Sequence, residues 1–382
     1  MDRRTLVGLM LAAPLALRPS LGAAASPPNM TRWSVRASEG LDALAFLNAL
    51  TGAELYREYY AADIDEFSAR LPQTVRTDIE ALAAEATKSG FGLLGPNLSN
   101  LMSGTDISTL RLVITALASP EVVLRPSYQA SAYWSEQDWK WLLEHASRLR
   151  VVLEEMDKQG FATFRQARIG AIEARVATVA EALSSFDVVK WQTKLTGRTF
   201  DPLITIVLLH FSKPHGAKLQ GQVFMQAADY DTATTVRIAA HEMLHPPFPM
   251  DGAAAKSALA VLNADPLMTR IAKDHDPRWG YTSVPGLLNE DMCEALDQLI
   301  SEALGVARNP ADRWRKSDDG IHVLAAGLYG LLRDDHWIDT GGDIAAWITR
   351  AVQAGRLAPA SLHPIAARVL ERPVDRLWPL AG

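Results

Sequence analysis

Apolar residues recur three and four positions apart through residues 38–185, which is the spacing of one face of an α-helix. We therefore predict a series of amphipathic helices, with a break at residues 90–104, where glycines and a proline accumulate. Ser135 and Asp138 are start signals for the longest helix. The segments are GLDALAFLNAL, ELYREYYAADIDEFSARL, TVRTDIEALAAEATKS, DISTLRLVITALA, SEQDWKWLLEHASRLRVVLEEMDKQ and FRQARIGAIEARVATVAEALSS. They predict a helical N-terminal domain over residues 26–186.

The pattern then changes to short apolar or β-branched runs separated by Gly, Pro and Asp, which is typical of strands. The runs predicted as strands are FDVVKWQTKL, DPLITIVLLHF and GQVFMQAAD. LITIVLL is continuous enough to be a strand buried on both faces. The predicted fold class is therefore α+β and mostly helical, with a small sheet.

The next run, TATTVRIAAHEMLH, contains no proline or glycine and returns to helical spacing. Val236, Ala239 and Met243 fall on one side of this helix, about opposite to His241 and His245. Residues four apart lie one turn apart on the same face, so both imidazoles can point into one cleft. The two prolines after His245 should end the helix at or near that residue.

Helical spacing continues to the C-terminus. AAAKSALAVLNADPLMTRIAKDH predicts two helices broken at Pro266, DPRWGYTSVPG predicts a loop, and LLNEDMCEALDQLISEAL predicts a further helix. On that helix Glu290, Glu294 and Asp297 form a carboxylate stripe opposite to apolar residues that would be packed. HVLAAGLYGLLRDD and GDIAAWITRAVQAGRL predict a C-terminal helical region over residues 306–382.

Composition narrows the class of protein. A chain of 382 residues with 48% hydrophobic and 21% charged residues is typical of a globular protein with a large core. The net charge of -6 and the lack of a basic stripe disfavour nucleic acid as a partner. Cys293 is the only cysteine, which excludes an intrachain disulfide and a cysteine-based zinc site. A bound metal would have to be held by histidine and carboxylate.

Residues 1–25 have the features of a secretory signal peptide. Arg3 and Arg4 precede an apolar run over residues 6–17, and three alanines at residues 23–25 offer a cleavage site. The arginine pair resembles a twin-arginine signal, and a general secretory signal is the alternative. The apolar run is too short to span a bilayer, so we expect an exported protein, periplasmic or extracellular, with no stable membrane anchor after cleavage.

His241, Glu242 and His245 form an HExxH motif. It supplies two imidazole ligands for a zinc ion and a carboxylate that can act as general base on a water bound to that ion. A catalytic zinc takes three protein ligands and keeps one position for water. Glu290 is the candidate third ligand, and Glu294 is placed to accept a hydrogen bond from an imidazole N–H.

HEMLH and NEDMCE together resemble the two motifs of the gluzincins, the thermolysin-like superfamily of zinc metallopeptidases. The resemblance covers roughly residues 201–305 and implies a zincin-like core over residues 187–305. It also implies one Zn²⁺ per chain, with Glu290 as third ligand and Glu294 supporting the ligands. Glu294 and His275 are the alternatives for the third ligand. In gluzincins the strand before the metal helix lies at the sheet edge, where an extended peptide can pair with it.

The resemblance predicts an exported zinc-dependent metallopeptidase that acts on a peptide or protein substrate. Glu242 would take a proton from the attacking water and pass it to the leaving amine. Tyr281 is the first choice of donor to the oxyanion, because gluzincins carry a Tyr shortly before the ligand Glu; Tyr329 and His322 are the other candidates. Two alternatives stay open: a non-catalytic cell-envelope binding protein with a degenerate zincin core, and a zinc hydrolase of a non-peptide amide.

Overall fold

The computed structural model describes residues 29–379, except residue 215 and the side chain of residue 278. Within this range the chain is mostly helical, with twenty α-helices and one four-stranded mixed sheet, which confirms the predicted α+β class. The signal peptide predicted for residues 1–25 lies outside the described residues. Across the described helices, none combines the length and the apolar character needed to cross a membrane.

The first half of the described chain is helix after helix, as its apolar spacing predicts. Ser135 caps the longest of these helices, because its side chain accepts a hydrogen bond from the backbone N–H of Asp138. The helices are α1 (Glu39–Ala49), α2 (Glu54–Ser68), α3 (Gln73–Ser89), α4 (Leu94–Met102), α5 (Leu110–Ala118), α6 (Pro120–Val123), α7 (Arg125–Gln129), α8 (Glu136–Lys158), α9 (Phe161–Ile169) and α10 (Ile172–Leu183).

The strand predicted for FDVVKWQTKL is wrong, because this segment forms helix α11 (Val188–Thr196). Asp187 caps its N-terminus by accepting a hydrogen bond from the backbone N–H of Lys190. Gly197 ends it in the left-handed conformation, with φ 69°. Among the buried residues, Val188, Gln192 and Leu195 recur at helical spacing. The cap at Asp187 and the stop at Gly197 therefore outweigh the strand preference of the β-branched residues Val188 and Val189.

The sheet has the order β1-β2-β4-β3, from β1 (Arg32–Ala37), β2 (Leu203–Leu209), β3 (Ala217–Lys218) and β4 (Val223–Ala227). Strands β1, β2 and β4 are parallel, and β3 is antiparallel to β4. The strands predicted from LITIVLL and GQVFMQAAD are confirmed. The edge position expected for GQVFMQAAD is wrong, because β3 pairs with β4 and takes the edge next to the HEMLH helix.

The sheet lies between two hydrophobic clusters, which explains why β2 is apolar on both faces. Val207 and Leu209 pack into a cluster of residues from α1 to α9. Ile206 and Leu208, which point to the opposite face, pack into a cluster built from residues 172–378. Burial on both faces removes the alternation of polar and apolar residues that a half-exposed strand shows.

The remaining helices follow β4, and the predicted break at Pro266 and the C-terminal helices are confirmed. The HEMLH helix ends at Glu242, earlier than expected, and the backbone N–H of Leu244 bonds the carbonyl oxygen of His241 instead of continuing the helix. The helices are α12 (Thr232–Glu242), α13 (Ala253–Leu262), α14 (Pro266–Asp274), α15 (Val284–Ala303), α16 (Pro310–Lys316), α17 (Val323–Asp334), α18 (Trp337–Thr340), α19 (Ile344–Gln353) and α20 (Pro359–Leu370).

One fully buried carboxylate joins helices of the first half to the sheet. Asp42 on α1 accepts a hydrogen bond from Arg165 Nε of α9 at 2.6 Å. It also accepts hydrogen bonds from the backbone N–H groups of His210 and Phe211, which follow β2, with N–O distances of 2.9 and 2.8 Å. Removing one partner of such a pair leaves the other charge buried without compensation.

We expect Asp42→Ala to lower the free energy of unfolding by about 3–5 kcal/mol, because Arg165 then stays buried without its carboxylate. Urea unfolding followed by circular dichroism measures this loss. The control is Asp65→Ala, which removes an exposed pair with Arg57 and should leave the unfolding midpoint unchanged. Equal midpoints for the two variants would contradict the role of Asp42.

Candidate metal centre

The centre is built where the end of α12 packs against α15. Asp231 caps α12 by accepting a hydrogen bond from the backbone N–H of Thr234. Val236, Ala239 and Met243 are buried, as the helical spacing predicts. Their burial turns the opposite side of α12, which carries the HExxH residues, towards the carboxylates of α15.

His241, His245 and Glu290 converge on one point and could hold a metal ion. His241 Nε2 lies 2.9 Å from His245 Nε2 and 3.2 Å from Glu290 Oε1, and His245 Nε2 lies 3.4 Å from Glu290 Oε2. Ligand atoms about 2.0–2.1 Å from a tetrahedral zinc are separated by roughly 3.3 Å. The two nitrogen–oxygen separations match that spacing, and the nitrogen–nitrogen separation is slightly short, so the donor set fits a zinc ion.

Mutual electrostatics hold Glu290 ionised. Burial by itself would raise the pKa of Glu290, but the charge of His241, its hydrogen bond and the charge of His245 outweigh this and hold the pKa at about 2. Burial and the charge of His241 lower the pKa of His245 to about 4. Near neutral pH Glu290 is therefore an ionised carboxylate and His245 a neutral imidazole, which are the forms in which these two residues bind a metal.

The second nitrogen of His241 is held by Asp297. His241 Nδ1 lies 2.7 Å from Asp297 Oδ2 but 3.8 Å from Glu294 Oε1. Burial lowers the pKa of His241, but Glu290 and Asp297 together outweigh it and raise the pKa well above its usual value. A carboxylate on the far nitrogen orients a ligand imidazole and strengthens it as a donor. The sequence placed this role on Glu294, although Asp297 belongs to the same carboxylate stripe.

Glu294 is held instead by Arg313 and Trp314 of α16. Arg313 Nη2 and Trp314 Nε1 each lie 2.7 Å from Glu294 Oε2. Arg313 also donates to both carboxylate oxygens of Asp297. His241, Glu294 and Asp297 form a second possible metal-binding group, but the guanidinium of Arg313 is already paired with both of its carboxylates. No motif in the sequence points to Arg313 or Trp314.

Glu242 lies beside the three candidate ligands and is half-buried. Its carboxylate accepts a hydrogen bond from the backbone N–H of Lys218, on edge strand β3. Burial, opposed by the charges of His241 and Lys218, raises the pKa of Glu242 to about 7. A carboxylate with a pKa near neutrality is suited to general base catalysis.

Tyr281 is the oxyanion candidate that lies next to the metal group. Its hydroxyl hydrogen-bonds Glu290, and burial together with the charge of Glu290 raises its pKa well above the usual value. The residue has φ 56°, a left-handed conformation that is rare for a bulky side chain. Its ring lies edge-on to His322, with the centroids 6.1 Å apart. The loop before α15 thus turns this phenol towards the centre.

The other sequence candidates have partners elsewhere. His322 is held between two carboxylates, with Nδ1 2.7 Å from Asp291 Oδ1 and Nε2 3.0 Å from Asp318 Oδ2. The Tyr329 hydroxyl bonds Glu302, which lies three turns along α15 from Glu290. Both ring nitrogens of His275 face backbone carbonyl oxygens. None of the three belongs to the group that could hold a metal.

Two further residues of α15 contact His245. Its Nδ1 lies 3.4 Å from Asn289 Nδ2 and 3.5 Å from Cys293 Sγ. Burial, together with the charge of Glu290, raises the pKa of the Cys293 thiol well above its usual value, so the sulfur stays protonated. A lone cysteine carries no spacing signal, so the thiol beside His245 could not be predicted from the sequence.

No protein-family description, curated protein or solved structure matches this chain. The chemistry of the centre is therefore that of its own residues, namely His241, His245 and Glu290 with Glu242 beside them.

We expect Glu290→Ala to lower zinc affinity far more than Asp297→Ala does. The first removes a candidate ligand, whereas the second removes the hydrogen bond to His241 Nδ1 and should lower the affinity by about 10–100-fold. Competition with a chromophoric chelator measures both affinities. Glu302→Ala is the matched control on the same helix and should leave the affinity unchanged, because Glu302 pairs with Tyr329 and Arg333. Equal affinities for the Glu290 and Asp297 variants would refute the assignment.

Proposed function

We propose that this protein is an exported zinc-dependent metallopeptidase of the gluzincin type, with a zincin-like core formed by the sheet, α12 and α15. The observation that carries the proposal is the convergence of His241, His245 and Glu290 beside Glu242. Two imidazoles and one carboxylate are the donor set of thermolysin-like zinc sites. A purely structural zinc site would have no use for a free carboxylate such as Glu242.

The proposed roles follow from the positions of the side chains. A zinc ion bound here would supply Lewis acidity that polarises the substrate carbonyl and activates a water. Glu242 takes the proton of that water and returns it to the leaving amine. Asp297 keeps His241 oriented, with Nδ1 engaged and Nε2 directed at the metal position. Tyr281 is the donor proposed for the oxyanion, since its hydroxyl already lies at Glu290.

Export rests on the sequence of residues 1–25, with its arginine pair, apolar run and three alanines. A peptide or protein is the substrate class proposed.

Metal content of the full chain, purified without chelator and measured by elemental mass spectrometry, is the experiment that tests the site. About one zinc per chain, lost together with hydrolysis on chelation, is the expected result. No tightly bound metal after zinc is added back would overturn the proposal in favour of a non-catalytic binding protein.

We expect Glu242→Gln to keep its zinc and to lose hydrolysis by about 10²–10⁴-fold, because the amide cannot accept the proton. The substitution preserves the shape of the side chain and can still accept the backbone N–H of Lys218. Peptide-library turnover and metal content are measured on the same preparation. Unchanged turnover with full zinc content would remove Glu242 as the base.

A further inference from the structure

A pocket of about 280 Å³ opens between the helical first half and edge strand β3. Phe91, Tyr128 and Tyr133 supply aromatic walls, and Lys218 lies at the β3 side. The volume is below the roughly 300–1,000 Å³ of sites for drug-sized ligands, which suits a single residue or a similarly small group.

This pocket lies beside Glu242. Lys218 lines it, donates its backbone N–H to Glu242 and places its ammonium nitrogen 3.2 Å from Met243 Sδ. Tyr133 also lines it and is close enough to Glu242 for that carboxylate to raise the pKa of its phenol, beyond the rise that burial causes. A group held in the pocket would therefore lie next to the general base of the proposed reaction.

The Lys218 ammonium is the charge in this pocket that lacks an ionic partner. It forms no ion pair with any carboxylate in the described part of the chain, although the nearby charge of Glu242 opposes the fall in its pKa. Burial, with the charge of Arg198, lowers the pKa of Lys218 to about 8, which leaves it protonated at pH 7. Asp138, by contrast, is hydrogen-bonded by Ser135 and Tyr128.

We propose that this pocket binds a substrate residue that carries a carboxylate next to the scissile bond, with Lys218 pairing to the carboxylate and the aromatic walls enclosing the residue. The inference rests on the proposed function and names the substrate class for the same site. A substrate carboxylate would form an ion pair with the Lys218 ammonium. The pocket is partly buried, so this charge-assisted hydrogen bond would be strong. The carboxylate can be the α-carboxylate of a C-terminal residue or that of an acidic side chain.

The test is a binding measurement, so it can be read even if no peptide is hydrolysed. N-acetylphenylalanine and its amide are titrated calorimetrically into the full chain and into Lys218→Met. We expect the acid to bind at least about tenfold more tightly than the amide to the unsubstituted protein, and we expect Lys218→Met to abolish the difference. Undetectable binding of N-acetylphenylalanine and of a side-chain carboxylate probe, no preference of either over the amide, or a preference that persists in Lys218→Met would overturn the proposal.

Controls separate Lys218 from other causes. Lys213→Met removes a lysine that pairs with Asp229 and lines a different cavity, so it should leave the preference unchanged. Lys218→Arg keeps the charge and should keep part of the preference. Titrations are made on zinc-loaded and on chelated protein, because a preference that vanishes with the metal would mean that the acid binds the metal, which overturns the role of Lys218.

A third probe, N-acetylglutamate α-amide, carries its carboxylate only on the side chain. Tighter binding of N-acetylphenylalanine assigns the pocket to the C-terminal residue of the substrate, whereas tighter binding of the glutamate probe assigns it to an acidic side chain. Either outcome supports the proposal if the substitution Lys218→Met abolishes the preference for the carboxylate probe. Metal content and turnover, measured separately, report on the hydrolase proposal and leave this result unaffected.

Discussion

The fold around the centre depends on keeping four carboxyl groups of α15 buried or nearly buried: Glu290, Asp291, Glu294 and Asp297. Such burial costs several kcal/mol per charge unless each group is paired. Their partners come from three other parts of the chain: His241 and His245 for Glu290, His322 for Asp291, Arg313 and Trp314 for Glu294, and His241 with Arg313 for Asp297. Helix α15 thus orders the helices around it through its acids.

In this arrangement the carboxylates favour a positive charge at the position between His241 and Glu290. Glu290 and Asp297 raise the pKa of His241 well above its usual value although the imidazole is buried. A proton on His241 and a divalent cation can each satisfy Glu290, and the two compete for the same nitrogen. Metal binding and protonation are therefore linked at this centre, and Asp297 favours both through the opposite nitrogen.

The sheet connects the two halves of the molecule at the same place. Its two faces pack into separate hydrophobic clusters, and its short edge strand β3 reaches the end of α12. Lys218 on that strand touches Glu242 through its backbone and Met243 through its ammonium nitrogen. The helical first half, whose own sequence carries no chemical motif, contributes aromatic walls to the pocket beside Glu242. The helical first half therefore contributes residues to the surroundings of the candidate metal centre.

Local sequence was enough for the helices of the first half, strand β2 and the pairing of His241 with His245. Helical spacing, caps and an i, i+4 pair depend on neighbours along the chain, so they can be seen without a fold. The same pattern placed Glu290 among three candidate carboxylates on one face of a helix.

Contacts between distant segments decided the rest. Strand β1 forms only by pairing with β2, far along the chain, and its own six residues carry little signal. Asp297 rather than Glu294 lies within hydrogen-bond distance of His241, and Glu294 is instead held by Trp314 and Arg313 of a later helix. All three acids of the stripe share one face of α15, so spacing along the chain could not rank them. That ranking is set by which charged partner each carboxylate meets when the helices pack, and only the tertiary structure determines it.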